Sequence, residues 1–274
     1  APKEAAAAWL ASLVQPDGTV TFAVDARTGA VAPPGKMHHA RSSNVIQALH
    51  AQGGYASRVS KARQRMASEL VGALAGKLVE GWPAHPAEVA GTLALALRAG
   101  VKVQAEALAY VRANQALIAR APWHAAQVVS ALGAAAPSPL WDVCVRDLDR
   151  EPWAPWTVLA LHARRDGQHV ERAVSALVRS VREDAPFSGA VMATKRAEVA
   201  LTSLTAEALA LYPRVAGARA AVGRARAFIL SQQLQRGRIP GPYVATGSAG
   251  GFVAAPTSSL LRGDVTAHAL LALL

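Results

Sequence analysis

Gln47-Ala48-Leu49 is the first of six copies of one short phrase; the others are Leu95-Ala96-Leu97, Ser130-Ala131-Leu132, Leu159-Ala160-Leu161, Glu207-Ala208-Leu209 and His268-Ala269-Leu270. Each copy sits in a stretch of small apolar residues with helical character. Between successive copies runs a second helical stretch with longer side chains and more arginine. Small apolar helices alternating with basic amphipathic ones mark helical hairpins stacked side by side, a repeat architecture. The repeat also sets a common phase, so equivalent positions can be compared within the one chain.

The spacing predicts an all-α chain of twelve helices in six hairpins, forming one domain over residues 1–274. First members are expected over 4–14, 57–75, 103–117, 138–148, 169–182 and 218–233. Second members are expected over 40–51, 86–99, 122–134, 152–163, 199–212 and 264–274. Pro86, Pro122, Pro139 and Pro152 stand where a first-turn proline belongs, its missing amide hydrogen being unpaired there anyway. Gly53, Gly76, Gly100 and Gly167 stand where helices should stop. The second members are apolar around most of their circumference, as helices buried on several sides must be. The first members carry Arg58, Arg63, Arg65, Arg172, Arg179 and Arg226, so one face meets water. An inner ring inside an outer ring, an (α/α)6 toroid, satisfies both facts. An open solenoid of helix pairs satisfies them almost as well.

At 274 residues and 52% apolar, the chain can bury a large core. Its net charge of +11 comes mostly from arginine and suits an acidic macromolecular partner, or simply a solvated arginine-rich surface. Cys144 is the only cysteine, which excludes an internal disulfide and a thiolate metal cluster. No apolar run is long enough to span a bilayer. The opening Ala1-Pro2-Lys3-Glu4 leans towards an exported protein, though a trimmed chain would read the same. A monomer is expected.

Two long connections interrupt the repeat. Residues 15–39 contain Pro16-Asp17-Gly18 and Pro33-Pro34-Gly35, and residues 234–263 contain Pro240-Gly241-Pro242 and Gly247-Ser248-Ala249-Gly250-Gly251. Loops of that length in a compact domain are usually functional or disordered. Both lead into inner helices, so both are expected at one end of the barrel, as flaps over one mouth.

Trp9-Leu10-Ala11-Ser12-Leu13-Val14-Gln15-Pro16-Asp17-Gly18 and Phe228-Ile229-Leu230-Ser231-Gln232-Gln233 each end a hydrophobic helix on glutamine. Gly250-Gly251-Phe252 precedes the last repeat. In these segments the chain resembles the α/α-toroid superfamily of terpenoid cyclases and protein prenyltransferases, with squalene-cyclase-like helical repeats. The resemblance implies a toroid with a central cavity. It carries over no catalysis: the Asp-x-Asp-Asp and Asp-Asp-x-x-Asp elements of those enzymes are missing, and Cys144, the one cysteine for a zinc set of Asp, Cys and His, lies on an expected outer helix.

Aligned on the repeated phrase, the variable column holds Gln47, Leu95, Ser130, Leu159, Glu207 and His268. Three residues earlier stand Asn44, Thr92, Gln127, Trp156, Leu204 and Val265, and four earlier Ser43, Gly91, Ala126, Pro155, Ser203 and Asp264. These positions share a helix face. Polar residues on one stripe of an otherwise buried helix predict a polar-lined cavity. Parallel inner helices would gather their starts around one mouth, bringing Arg41 and Arg262 there, and Trp123, Trp153 and Trp156 could form an aromatic wall.

The expected activity is that of a cavity enzyme of lyase, epimerase or cyclase type. It would use acid/base chemistry on a small, oxygen-rich, anionic or glycan-like substrate, without an organic cofactor. His268 with Asp264 would be one proton-transfer group and Glu207 the other, with His39 and Tyr243 completing the catalytic set. Arg262, Arg41, Asn44, Gln47, Gln127, Trp123, Trp153 and Trp156 would bind substrate. Each has a plainer counterpart: Asp264 as a helix cap, Glu207 in an ion pair with Arg41 or Arg98. His38, His39, His85 and His124 could instead form a metal site of three or four imidazoles, which would make the chain a metal-dependent enzyme. A non-catalytic binding or scaffold module would also fit the composition, as would a basic helical-repeat protein on nucleic acid.

Overall fold

The computed structural model describes residues 1–21, 23–25, 28, 30–32, 38–146, 148, 154–193, 196–233, 251–253 and 260–274. The described chain is mostly helical with little sheet. Its helices are α1 (Pro2–Leu13), α2 (His38–Gln52), α3 (Ala56–Leu74), α4 (Pro86–Arg98), α5 (Gln104–Ile118) and α6 (Pro122–Leu132), then α7 (Ser138–Arg146), α8 (Ala154–Arg164), α9 (Val170–Ser180), α10 (Val199–Ala210), α11 (Ala218–Ser231) and α12 (Gly263–Leu273). All twelve expected helices are present, with ends within a few residues of those read from the repeat. Pro86 and Pro122 open α4 and α6 as expected. Pro152 lies outside the described residues.

The two helix classes are buried as their composition requires. In α3 the buried residues are Val59, Ala62, Met66, Leu70 and Ala73, one stripe at helical spacing. In α10 the buried set runs through Leu201, Thr202, Ser203, Leu204, Thr205 and Ala206 without a break, so neighbours surround it. The contacts follow this division. Helix α2 packs on α4, α4 on α6, α6 on α8, α8 on α10, α10 on α12, and α12 packs back on α2.

The odd-numbered helices lie against the even ones, but not in the expected pairs. The sequence grouped each outer helix with the inner helix after it. In the structure α3 packs on α2, and α5, α7, α9 and α11 pack mainly on α4, α6, α8 and α10. Each thus belongs with the inner helix before it, and α1 pairs mainly with α12, from the far end of the chain. Gly53 and Gly100, at φ +78 and +76, end α2 and α4 in a left-handed conformation that reverses the chain within a few residues.

Outer-helix arginines have work inside the fold. Arg58 donates to the carbonyl of Ala11 near the end of α1. Arg63 Nε donates to Ala99 O just past α4 at 2.6 Å, and Arg226 Nε donates to Ala272 O in the last turn of α12 at 2.7 Å. The last carbonyls of a helix have no partner within it, and a cation there also meets the negative end of the dipole. Part of the arginine content is therefore helix capping between neighbours.

The long connections meet each other. Strand β1 (Ala23–Asp25) pairs antiparallel with β2 (Val31–Ala32) and with a strand from the second connection, Leu260–Arg262, which is β5. Val24 stands opposite Leu261. A small hairpin of β3 (Met192–Ala193) and β4 (Arg196–Ala197) precedes α10. Two-residue strands have no periodicity to read, and the repeat did not foretell them.

Small residues set the spacing of the inner helices. Ala48, Ala96, Ala160, Ala208 and Ala269 are all 0% exposed. Ala131 is only partly buried, because α6 ends one residue later and gives way to a 3-10 turn at Gly133–Ala135. Ala160→Leu should cost about 1–3 kcal/mol by overpacking, read as a lower urea midpoint with an unchanged slope. Ala131→Leu should cost clearly less.

Candidate functional site

All six even-numbered helices reach one cavity of about 290 Å3. Helix α2 brings Arg41 and Asn44, α4 Leu95, α6 Trp123 and Gln127, α8 Trp156, α10 Leu201 and Leu204, and α12 Asp264 and His268. Glu198 and Arg262, immediately before α10 and α12, complete its charged part. The column three residues before the repeated phrase supplies Asn44, Gln127, Trp156 and Leu204 to the lining. Thr92 and Val265 of that column are buried elsewhere, Thr92 donating to the carbonyl of Glu88.

Four polar atoms on this lining are buried without a hydrogen-bond partner: Asn44 Oδ1, Gln127 Oε1, Trp156 Nε1 and His268 Nδ1. A buried polar atom left unpaired costs about 1–3 kcal/mol, so native folds rarely keep one without a reason. The four belong to residues of four helices that line one cavity. Trp123 meets Trp156 edge to face, with ring centroids 6.2 Å apart, and the Arg98 guanidinium sits 5.2 Å from the Trp156 ring centroid. That ring is fixed in place.

The charges are arranged in pairs. Arg262 Nε donates to Asp264 Oδ1 at 3.0 Å, with a second bond from Nη2 to Oδ2. Burial acts to lower the Arg262 pKa, but the hydrogen bond and charge of Asp264 and the charge of Glu198 outweigh it. Burial lowers the Arg41 pKa, against the pull of Asp264. His268 is held below its ordinary value, first by burial, with Glu207 and Asp264 opposing. Its imidazole is therefore neutral at neutral pH and able to take a proton.

The structure places the remaining candidates as follows. Asp264 is not the cap of α12: Arg262 holds the cap position, and Asp264 sits in the first turn, bonded to that arginine. Asp264 is thus committed to Arg262 and does not hold His268. Glu207 forms an ion pair with Arg98 at 2.8 Å, across α4 and α10. Gln47 is half-buried and does not line the cavity. His39 lines a different cavity, where Nε2 meets Glu69 Oε2 at 3.0 Å. Tyr243 and Trp153 lie outside the described residues.

The four histidines of the possible metal site separate into two pairs. His38 and His39 adjoin at the start of α2, with ring centroids 5.7 Å apart. His85 caps α4, its Nδ1 accepting from the Ala87 amide at 3.2 Å, and the charge of His85 reaches His124. Among the described residues no group of three or more His, Cys, Asp or Glu is placed to hold a metal ion. The repeat missed Glu69 and Ser42, which share the cavity of His39. Glu69 stands four residues after Arg65 on an outer helix, a spacing that reads as a solvated surface pair.

The chain matches no protein-family model and no curated protein.

Replacing an orphaned acceptor by an apolar group of like shape should stabilise the empty protein. Gln127→Met should raise the urea midpoint by the equivalent of about 1 kcal/mol or more, while weakening any ligand of the cavity. A lower midpoint would mean that the amide has an internal partner.

His268, His124 and His38 all have lowered pKa values, burial being the first cause in each. As pH falls through the ordinary value of 6.5, the unfolded chain takes up protons before the folded one does. Stability present above that pH should therefore be lost progressively below it. Urea midpoints at about pH 7.5 and about pH 5.5 should show the drop, and His268→Gln should make it shallower.

Proposed function

We propose that this chain is an (α/α)6 toroid whose central cavity binds a small oxygen-rich molecule and moves a proton on it, as lyases, epimerases and cyclases do. The carrying observation is the convergence of Asn44 Oδ1, Gln127 Oε1, Trp156 Nε1 and His268 Nδ1 on one cavity. The return of the inner series from α12 to α2 supports the toroid, as does the resemblance to terpenoid cyclases and prenyltransferases at the level of fold. Fold alone fixes no chemistry, so the reaction is argued from the cavity.

Its size stands at the lower end of small-molecule sites, which run to about 300–1,000 Å3. That suits a single ring or short chain. Hydroxyl groups match the lining best, because each both donates and accepts: to the amide oxygens of Asn44 and Gln127, and from the Trp156 indole N–H. The indole face offers an apolar bed for carbon-bound hydrogens. His268, neutral and buried, is the proton acceptor. Arg41 and the Arg262–Asp264 pair hold an anionic or carbonyl oxygen and stabilise charge developing on it. Glu207, committed to Arg98, positions that arginine over Trp156.

Exchange with solvent separates an enzyme from a binding module. Hydroxy acids, uronates and sugars that raise the melting temperature should be incubated with the protein in deuterium oxide and followed by NMR. Wild type should wash deuterium into one carbon position of its ligand. His268→Gln should lose about 10²-fold or more of that rate with an unchanged helical signal, while an Arg172→Gln, Arg179→Gln double variant keeps it. A ligand that binds but never exchanges would leave a binding protein.

A further inference from the structure

A second cavity of about 200 Å3 lies between the first turns of α2 and the middle of α3, and shares no lining residue with the first. His39 and Ser42, one turn apart on α2, are 3% and 4% exposed, and both line it. His39 Nδ1, Ser42 Oγ and His38 Nδ1 are all buried there without partners. The tautomer of His39 follows from its other nitrogen. Nε2 meets the Glu69 carboxylate at 3.0 Å, and a carboxylate accepts only, so Nε2 carries the hydrogen. Where the ring is neutral, Nδ1 then carries the lone pair, on a residue that lines the cavity. Burial lowers the pKa of His38, so that ring is neutral at neutral pH.

Charge selects the occupant. Arg65, the cation on the lining, is already spent: Nε on Glu69 at 2.8 Å and Nη1 on Asp17 at 2.6 Å. Glu80 adds a further carboxylate to the wall, close enough for its charge to act on His38. Three carboxylates around one guanidinium repel an anion. Val20, Ala62, Met66 and Val79 supply an apolar side.

We propose that this cavity is a binding site for a small organic ammonium ion, whose N–H groups donate to His39 Nδ1, Ser42 Oγ and His38 Nδ1 while Glu80 supplies the countercharge. The carbon chain of the ligand lies along Met66 and Val79. Glu69 acts through His39, holding the ring with its lone pair inward. The site is independent of the central cavity and stands whether or not that cavity is catalytic.

The probes are 2-aminoethanol, ethylene glycol as its neutral counterpart and glycolate as its anionic one, each titrated calorimetrically into the whole protein at neutral pH. The ammonium probe should bind, the neutral one at least about tenfold more weakly, and glycolate not at all. Glu80→Gln, at an exposed residue, and Ser42→Ala should each weaken 2-aminoethanol by about tenfold with unchanged circular dichroism. Gln127→Met in the central cavity should leave it unaltered. Absence of binding by 2-aminoethanol, equal binding of 2-aminoethanol and ethylene glycol, or indifference to both Glu80→Gln and Ser42→Ala would overturn the assignment.

Discussion

The packing of α12 against α2, with α1 lying on both, joins the two ends of the chain. The larger cavity depends on that seam. Ala48 of α2 and Ala269 of α12 are wholly buried, and side chains that small let neighbouring backbones come close. Gln233, just past α11, reaches across 231 residues of sequence to donate to Pro2 O at 2.8 Å. Strand β5 then binds β1, so the segments leading into α12 and α2 are fixed to each other. Only with this seam closed do Arg41 and Asn44 share a cavity with Asp264 and His268.

Charge on and beside the cavity is paired: Arg262 with Asp264 on the lining, Arg98 with Glu207 next to it. Buried hydroxyls turn inward to their own helices, as Ser43 does to His39 O and Ser203 to Val199 O. On the lining itself Asn44, Gln127, Trp156 and His268 each keep an atom unsatisfied. Gly91 belongs to the same arrangement. A Cβ there would come within 2.5 Å of His124 Cδ2 and 2.6 Å of Gln127 Oε1, so α4 yields its side chain to let those groups stand where they do. Unpaired buried atoms occur at both cavities, and others lie outside the two linings, among them Arg98 Nε, Arg164 Nε and Thr205 Oγ1.

The helices were readable because their signals are local. Small apolar runs, prolines at the first turn and glycines at the last act within a few residues. The lining was readable to within a turn, since one phase relates six helices: Asn44, Gln127, Trp156, Asp264 and His268 came from the columns alone. Partners were not readable. Whether Asp264 turns to His268 or to Arg262 depends on side-chain directions at a strand end. Glu207 and Arg98 are 109 residues apart, and Glu69 reaches His39 from another helix. Hairpin grouping failed for a similar reason, because the chain alternates inner and outer helices and either neighbour satisfies the pattern. Contacts with α12 from the start of the chain break that tie.

A seam made from opposite chain ends gives the molecule a direction in time. During synthesis α1 and α2 leave the ribosome before α12, the helix that covers their flank. Contacts of such long sequence separation form late because their loop-closure entropy must be met at once. The cavity therefore comes into being in the final step, from walls already built. A molecule settling between α2 and α12 would touch both sides of the seam, so its binding free energy would add there and slow opening before it strengthened any single helix.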